Sequence, residues 1–196
     1  MTATDIPLGG RRLASTMVLV AVAAALLVAL VGATGSGRLA ADFHASYLDA
    51  AESVRENGTP WSTDSEFPYW YPPLLAELVV PLTFVPQHIA VLIAFAASLA
   101  ALLGAVYLVG VRDIRCYAAV LIWAPGWNSL ELANVTVASA LAAALVWRYR
   151  DTTWTAPAAL GGAMALKLLL WPLLAWLAVT KRVRSDSSGG SGRASL

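Results

Sequence analysis

The chain lacks much of what soluble enzymes work with. Of its 196 residues 13% are charged, one is cysteine and two are histidine, whereas an ordinary soluble domain carries about 25% charge. With Cys116 alone there is no intrachain disulfide and no cysteine-rich metal site. Placed at the start of an apolar run, it reads as a small buried or lipid-facing residue. His44 and His88 are too isolated to suggest a metal centre. No basic tract resembles a nucleic-acid footprint. Glycine-rich phosphate loops, serine nucleophile motifs and HExxH zinc sites are also missing.

What remains is apolar: 59% of the residues are hydrophobic, and the mean hydropathy is +0.67. An integral membrane protein follows, because a crossing helix needs about 20 apolar residues. The candidate segments are residues 13–32, 74–86, 89–110, 116–130, 135–147 and 157–180. Arg11 and Arg12 before the first could belong to a signal peptide or a twin-arginine leader. No small-residue cleavage site follows and the flanks fit poorly, so a retained anchor with a cytoplasmic N-terminus is expected.

Two segments are interrupted, one by Pro81 and one by Lys167, and read as broken or re-entrant helices buried in protein or lining a cavity. The fold class is thus all-α: a polytopic bundle of about six membrane segments, some of them broken. Basic residues flank the runs as Arg112 and Arg115, Arg148 and Arg150, and Lys181, Arg182 and Arg184. All fall on the cytoplasmic side if residues 74–86 dip and return and Lys167 marks an outer turn. That layout puts both termini in the cytoplasm and brings Asn134 and Lys167 to the face that carries Asp42. The membrane domain spans residues 1–184, and the Ser/Gly-rich stretch 185–196 should be disordered.

Half of the acids, six of 12, lie in the extracytoplasmic loop at residues 33–73: Asp42, Asp49, Glu52, Glu56, Asp64 and Glu66. Within it Tyr47, Ala50, Ala51 and Val54 repeat at the spacing of one helix face, opposite Glu52, Arg55 and Glu56. The pattern predicts a short helix lying on the membrane surface and ended by Asn57-Gly58, holding Asp42 at the interface. Asn57-Gly58-Thr59 also matches a glycosylation acceptor, but a helix cap accounts for it.

Asp42, Glu77, Glu131 and Lys167 are the ionisable groups to weigh, since charge at membrane depth costs a few kcal/mol and is rarely idle. Each has a structural alternative. Asp42 could be a solvated helix end, Glu77 and Lys167 could form an interhelical pair, and Glu131 could sit in an interfacial turn near Asn128, Ser129 and Asn134. Trp61, Tyr69, Trp70 and Tyr71 fit an aromatic belt, while Trp70 or Tyr71 could also stack on a sugar face.

Taken in order, these features resemble a known family. Cytoplasmic arginines precede an apolar helix; then come Asp42-Phe43 with Tyr47, Gly58-x-Pro60-Trp61 and Tyr71-Pro72-Pro73-Leu74. Pro125 with Asn134 follows, and Lys167 with Pro172 stands before Lys181-Arg182-x-Arg184. The pattern is similar to the polytopic GT-C glycosyltransferases, and within them to glycosyltransferase family 87. The resemblance covers about residues 11–184. It implies transfer of a hexose, mannose foremost, from a polyprenyl-phosphate donor to a lipid or glycan acceptor outside the plasma membrane.

By the same resemblance Asp42 is the base for an inverting displacement, and Lys167 is the cation facing the leaving phosphate. Asn134, Tyr71, Trp70, Glu77 and His44 are the other candidate substrate contacts. No cofactor or metal is implied, and membrane lipids surround the site. The family's Gly-Gln-x-Asn stretch stands here as Glu131-Leu132-Ala133-Asn134, keeping the asparagine. Family members are about twice as long, so the resemblance predicts that these residues form a truncated N-terminal half, completed by a second chain where one exists. A non-catalytic relative serving as scaffold or lipid-binding subunit stays open, as does a transporter.

Overall fold

The computed structural model describes residues 37–61, 68–152 and 154–189, with positions 17, 24, 28, 31, 32 and 34. Arg11, Arg12, Asp64, Glu66, most of the first expected span and the last residues of the tail lie outside these. All regular structure among the described residues is helical. A π-helical turn, Phe43–Leu48, leads into α1 (Asp49–Asn57). Next come α2 (Pro73–Val79), a 3-10 turn (Val80–Phe84), α3 (Gln87–Leu108) and α4 (Ile114–Ile122). They are followed by α5 (Ala124–Glu131), α6 (Thr136–Arg148), α7 (Thr155–Leu166), a 3-10 turn (Leu168–Leu170) and α8 (Trp171–Gly189).

Proline sets many of these boundaries. Pro73 opens α2 at its first turn, where a missing N–H costs nothing. Pro81 then lacks the donor that would continue it, and the chain tightens into the 3-10 turn, as the sequence predicts. The expected segment 116–130 is instead two helices. Trp123 takes extended backbone (ψ 123°) and Pro125 sits in the first turn of α5, so the run breaks between them.

α3 is 22 residues long and apolar on every side, and only 11% of its most apolar window is buried. A soluble core helix would be covered, so this composition fits lipid. At about 1.5 Å per residue it is about 33 Å long, enough to cross. Apart from α3, α5 and α6 meet the same criterion only if the pair, bent by 118°, counts as one broken span. Among the described residues there are thus one or two spans by length and composition, and a six-span bundle is not confirmed. The remaining apolar helices, broken at Pro81 and at Lys167, are too short to cross alone.

The loop helix forms where the spacing places it. Tyr47, Ala50 and Ala51 are buried, Val54 is half-buried, and Glu52, Arg55 and Glu56 are exposed. Gly58 ends α1 at φ 72°, its N–H donating to the Val54 carbonyl at 2.9 Å. One expectation is corrected: the apolar face does not rest on lipid. It joins Leu75, Ala76 and Val79 of α2 in one core with Ala40, Phe43, Leu48, Ala133 and Val135, because the Pro72-Pro73 turn folds α2 back beneath it. The backbone of α8 is helical to Gly189.

α3 packs along α6, and α6 packs along α7. The starts of α3 and α6 belong to the core beneath Asp42, through Ala90 and Val135. Their far ends carry Arg112, stacked 3.9 Å from the Tyr107 ring centroid, and Arg150, 4.8 Å from that of Trp147. These two arginines and the acidic loop therefore lie at opposite ends of the same helices.

Candidate active site

Asp42 immediately precedes the π-helical turn, a widened turn often found at functional sites. Arg38 and Ala40 tie this segment to the end of α5. The Ala40 N–H donates to the Glu131 carbonyl at 2.6 Å, and Arg38 Nε lies 3.2 Å from Glu131 Oε1. Both partners are followed by a tight reversal: Ala40 has φ 56° and Ala133 has φ 50°, a region that L-residues other than glycine rarely occupy. After Ala133 the chain turns sharply into α6, and Asn134 lands beside Asp42.

Asn134 Nδ2 donates to Asp42 Oδ2 at 2.5 Å. Its Oδ1 accepts from the Thr136 N–H at 2.8 Å and from Thr136 Oγ1 at 2.5 Å, an Asx turn that starts α6. Lys167 Nζ donates to Thr136 Oγ1 at 2.9 Å and lies 5.5 Å from the Tyr71 ring centroid, within cation–π range. The expected break at Lys167 is present: α7 stops at Leu166, Lys167 is extended (φ −157°, ψ 122°), and its side chain is delivered to the Asp42 end. Asp42, Asn134, Thr136, Tyr71 and Lys167 are each half-buried, so a ligand can reach them.

Three tyrosines shape the floor. Tyr71 meets Tyr47 edge-on at 5.3 Å between centroids and Tyr69 at 5.7 Å. Tyr47 is buried, and its hydroxyl accepts from the Val135 N–H at 3.3 Å. Burial holds this phenol well above its ordinary pKa; Tyr71 and Asp42 add to the shift and the Val135 N–H opposes it. Tyr69 donates to the Pro72 carbonyl at 2.8 Å and accepts from the Ala76 N–H at 3.1 Å, pinning the first turn of α2. Its pKa is pushed up to about 12, chiefly by burial.

The cluster thus contains a carboxylate and an ammonium joined through two neutral side chains. Among the described residues no ion pair links Asp42 to Lys167, and neither charge cancels the other. Such an arrangement can offer an acceptor to a hydroxyl proton and a cation to an anion within one site.

Residues 69–188, more than half of the chain, match the model of glycosyltransferase family 87. The chain belongs to glycosyltransferase family 87. No curated relative and no solved structure matches it. The family match includes Tyr71, Asn134, Thr136 and Lys167, while Asp42 lies upstream of it. The Asn134 amide ties that upstream carboxylate to the matched region.

Other expected contacts stay apart from the cluster. Glu77 is exposed on α2, because Leu75, Ala76 and Val79 take the buried face; the interhelical pair with Lys167 does not form, and Lys167 donates to Thr136 instead. Trp70 is 83% exposed and His44 points to solvent. Trp61 is exposed as well, so the four aromatics do not form one belt: Tyr69 and Tyr71 turn inward. Thr136 was not among the expected site residues. Its signal is local, a threonine two residues after an asparagine at a helix start, where an Asx turn is favoured.

Proposed function

We propose that this family 87 chain is a membrane glycosyltransferase that moves a hexose, mannose foremost, from a polyprenyl-phosphate donor to a lipid or glycan hydroxyl outside the plasma membrane. The observation that carries the reading is the placement of Asp42, held by Asn134, and Lys167, over Tyr71, as separated charges in one open site.

Asp42 accepts the proton of the acceptor hydroxyl as that oxygen attacks the anomeric carbon from the face opposite the phosphate. The bond from the anomeric carbon to the phosphate oxygen breaks, its electron pair leaves with the phosphate, and the configuration inverts. Lys167 meets the charge that develops there. Exposed Trp70, next to Tyr71, offers a face for a sugar. The opposed positions of Arg112 and Arg150 relative to Asp42 support a multi-pass layout with cytoplasmic termini and an external site.

The test is sugar transfer by membranes containing the chain, given a synthetic polyprenyl-phosphate mannose donor. Asp42→Asn, which keeps the shape and the contact to Asn134 but removes the base, should abolish transfer. Undiminished transfer by this variant would refute the assignment.

A further inference from the structure

The hydrogen bonds around Asn134 have a fixed direction. A peptide N–H can only donate, so the 2.8 Å contact from the Thr136 N–H marks the facing Asn134 atom as the carbonyl oxygen. A lysine ammonium likewise only donates, so Thr136 Oγ1, 2.9 Å from Lys167 Nζ, is an acceptor on that side. Its own proton is then free for Asn134 Oδ1 at 2.5 Å. With two donors on Oδ1, the amide nitrogen must face Asp42, whose ionised carboxylate can only accept. A flipped amide would set oxygen against oxygen at Asp42 and nitrogen against nitrogen at Thr136.

We infer that Thr136 is a positioning residue: its hydroxyl, held by Lys167, fixes the Asn134 amide against Asp42 Oδ2 and so fixes the orientation in which the carboxylate meets the acceptor hydroxyl. The inference rests on the reading of Asp42 as base. Without the hydroxyl, the backbone N–H alone holds Asn134 Oδ1 and Lys167 loses its side-chain partner. The amide keeps its sense, because the Thr136 N–H and Asp42 still select it, but with one donor fewer it is held less firmly and the carboxylate loses its fixed alignment with the line of attack. The effect is expected on the chemical step, through the alignment of Asp42, while the Lys167 ammonium keeps its place over Tyr71 for donor binding.

The test compares Thr136→Val, which keeps shape and loses the hydroxyl, with Thr136→Ser, which keeps the hydroxyl, in membranes supplied with synthetic polyprenyl-phosphate mannose. Thr136→Val should lower kcat about tenfold or more with KM for the donor unchanged, and Thr136→Ser should stay within about twofold of the parent. A readout independent of turnover is carbodiimide modification of Asp42, followed by mass spectrometry. Modification should run several-fold faster in Thr136→Val and at the parental rate in Thr136→Ser. Thr136→Ala, which also lacks the hydroxyl, should behave as Thr136→Val does and takes its place if the valine variant fails to assemble.

Parental kcat and labelling in Thr136→Val, a change confined to KM, or failure of serine to restore the parental values overturns the inference. If Asp42→Asn is inactive while Thr136→Val keeps parental kcat, only the role of Thr136 falls. If Asp42→Asn transfers sugar normally, the base reading and the role of Thr136 fall together.

Discussion

Asn134 and Asp42 are 92 positions apart in the sequence and joined by a 2.5 Å hydrogen bond. The contact fastens the loop before α1 to the start of α6, and it is made possible by the bend of 118° between α5 and α6. Had α5 and α6 formed one straight span, Asn134 would lie within an apolar rod and could not reach a loop carboxylate. Here the broken helix is a means of placing the site.

Lys167 is the next consequence. It is the only ammonium placed in the described cluster, and removing one preorganised partner of a developing anion typically costs a factor of about 10² to 10³ in kcat. Lys167→Met, which retains the stem over Tyr71, should lose transfer by that order while the protein still assembles. Lys167→Arg should rescue poorly, because a planar guanidinium cannot both donate to Thr136 Oγ1 and keep the compact charge over the Tyr71 ring. Initial rates with the lipid donor check both, and full activity of Lys167→Met would remove lysine from the mechanism.

The sequence singles out Lys167 as a charge within an apolar run, and Asp42 and Asn134 by their order along the chain and the family resemblance; the fold brings the three to one cluster. Thr136 could not be found in the same way, since a threonine opening a helix is unremarkable and its meaning comes from Lys167, 31 positions away. Glu77 is placed differently. Charge drew attention to it, yet Leu75, Ala76 and Val79 define the buried face of α2, and that face leaves Glu77 in solvent. The loop helix was legible to its last residue, through four apolar positions and a glycine. What covers its apolar face was not, because periodicity marks a face for burial without naming the partner.

Gly58 gives a prediction about that helix. An added Cβ would meet nothing within 4 Å, so φ 72° is the sole obstacle to substitution. Gly58→Ala should therefore cost about 1–2 kcal/mol, the penalty of a left-handed L-residue, and Gly58→Val more. Thermal denaturation in detergent would register the order Gly, Ala, Val. An unchanged midpoint for the valine variant would contradict the left-handed cap.

Ala133 tests the reversal that delivers Asn134. At φ 50° and 6% exposure it has neither the backbone freedom nor the room for a branched side chain. Ala133→Val should distort the turn and abolish transfer. Ala133→Gly relieves about 1 kcal/mol or more of backbone strain and gives up one buried methyl, worth about the same, so stability and activity should stay close to those of the parent. Equal behaviour of the two variants would mean that the turn does not position the site.

Tyr69 links pH to stability at the alkaline end. Its phenol is raised from 10.0 to about 12 in the folded chain, chiefly by burial, and its proton is engaged with the Pro72 carbonyl. The raised value means that the folded state binds more protons than the unfolded state between pH 10 and pH 12. Stability from this group is then fully present below about pH 10 and is lost as the pH climbs through about 12. Tyr69→Phe removes both the titration and the link to the first turn of α2, so its melting temperature should be lower than the parent's at pH 8 and the gap should narrow by pH 11. Ultraviolet titration of tyrosinate in the parent and the variant isolates the Tyr69 step. A step at the ordinary phenol value would show that Tyr69 does not hold α2 against the site.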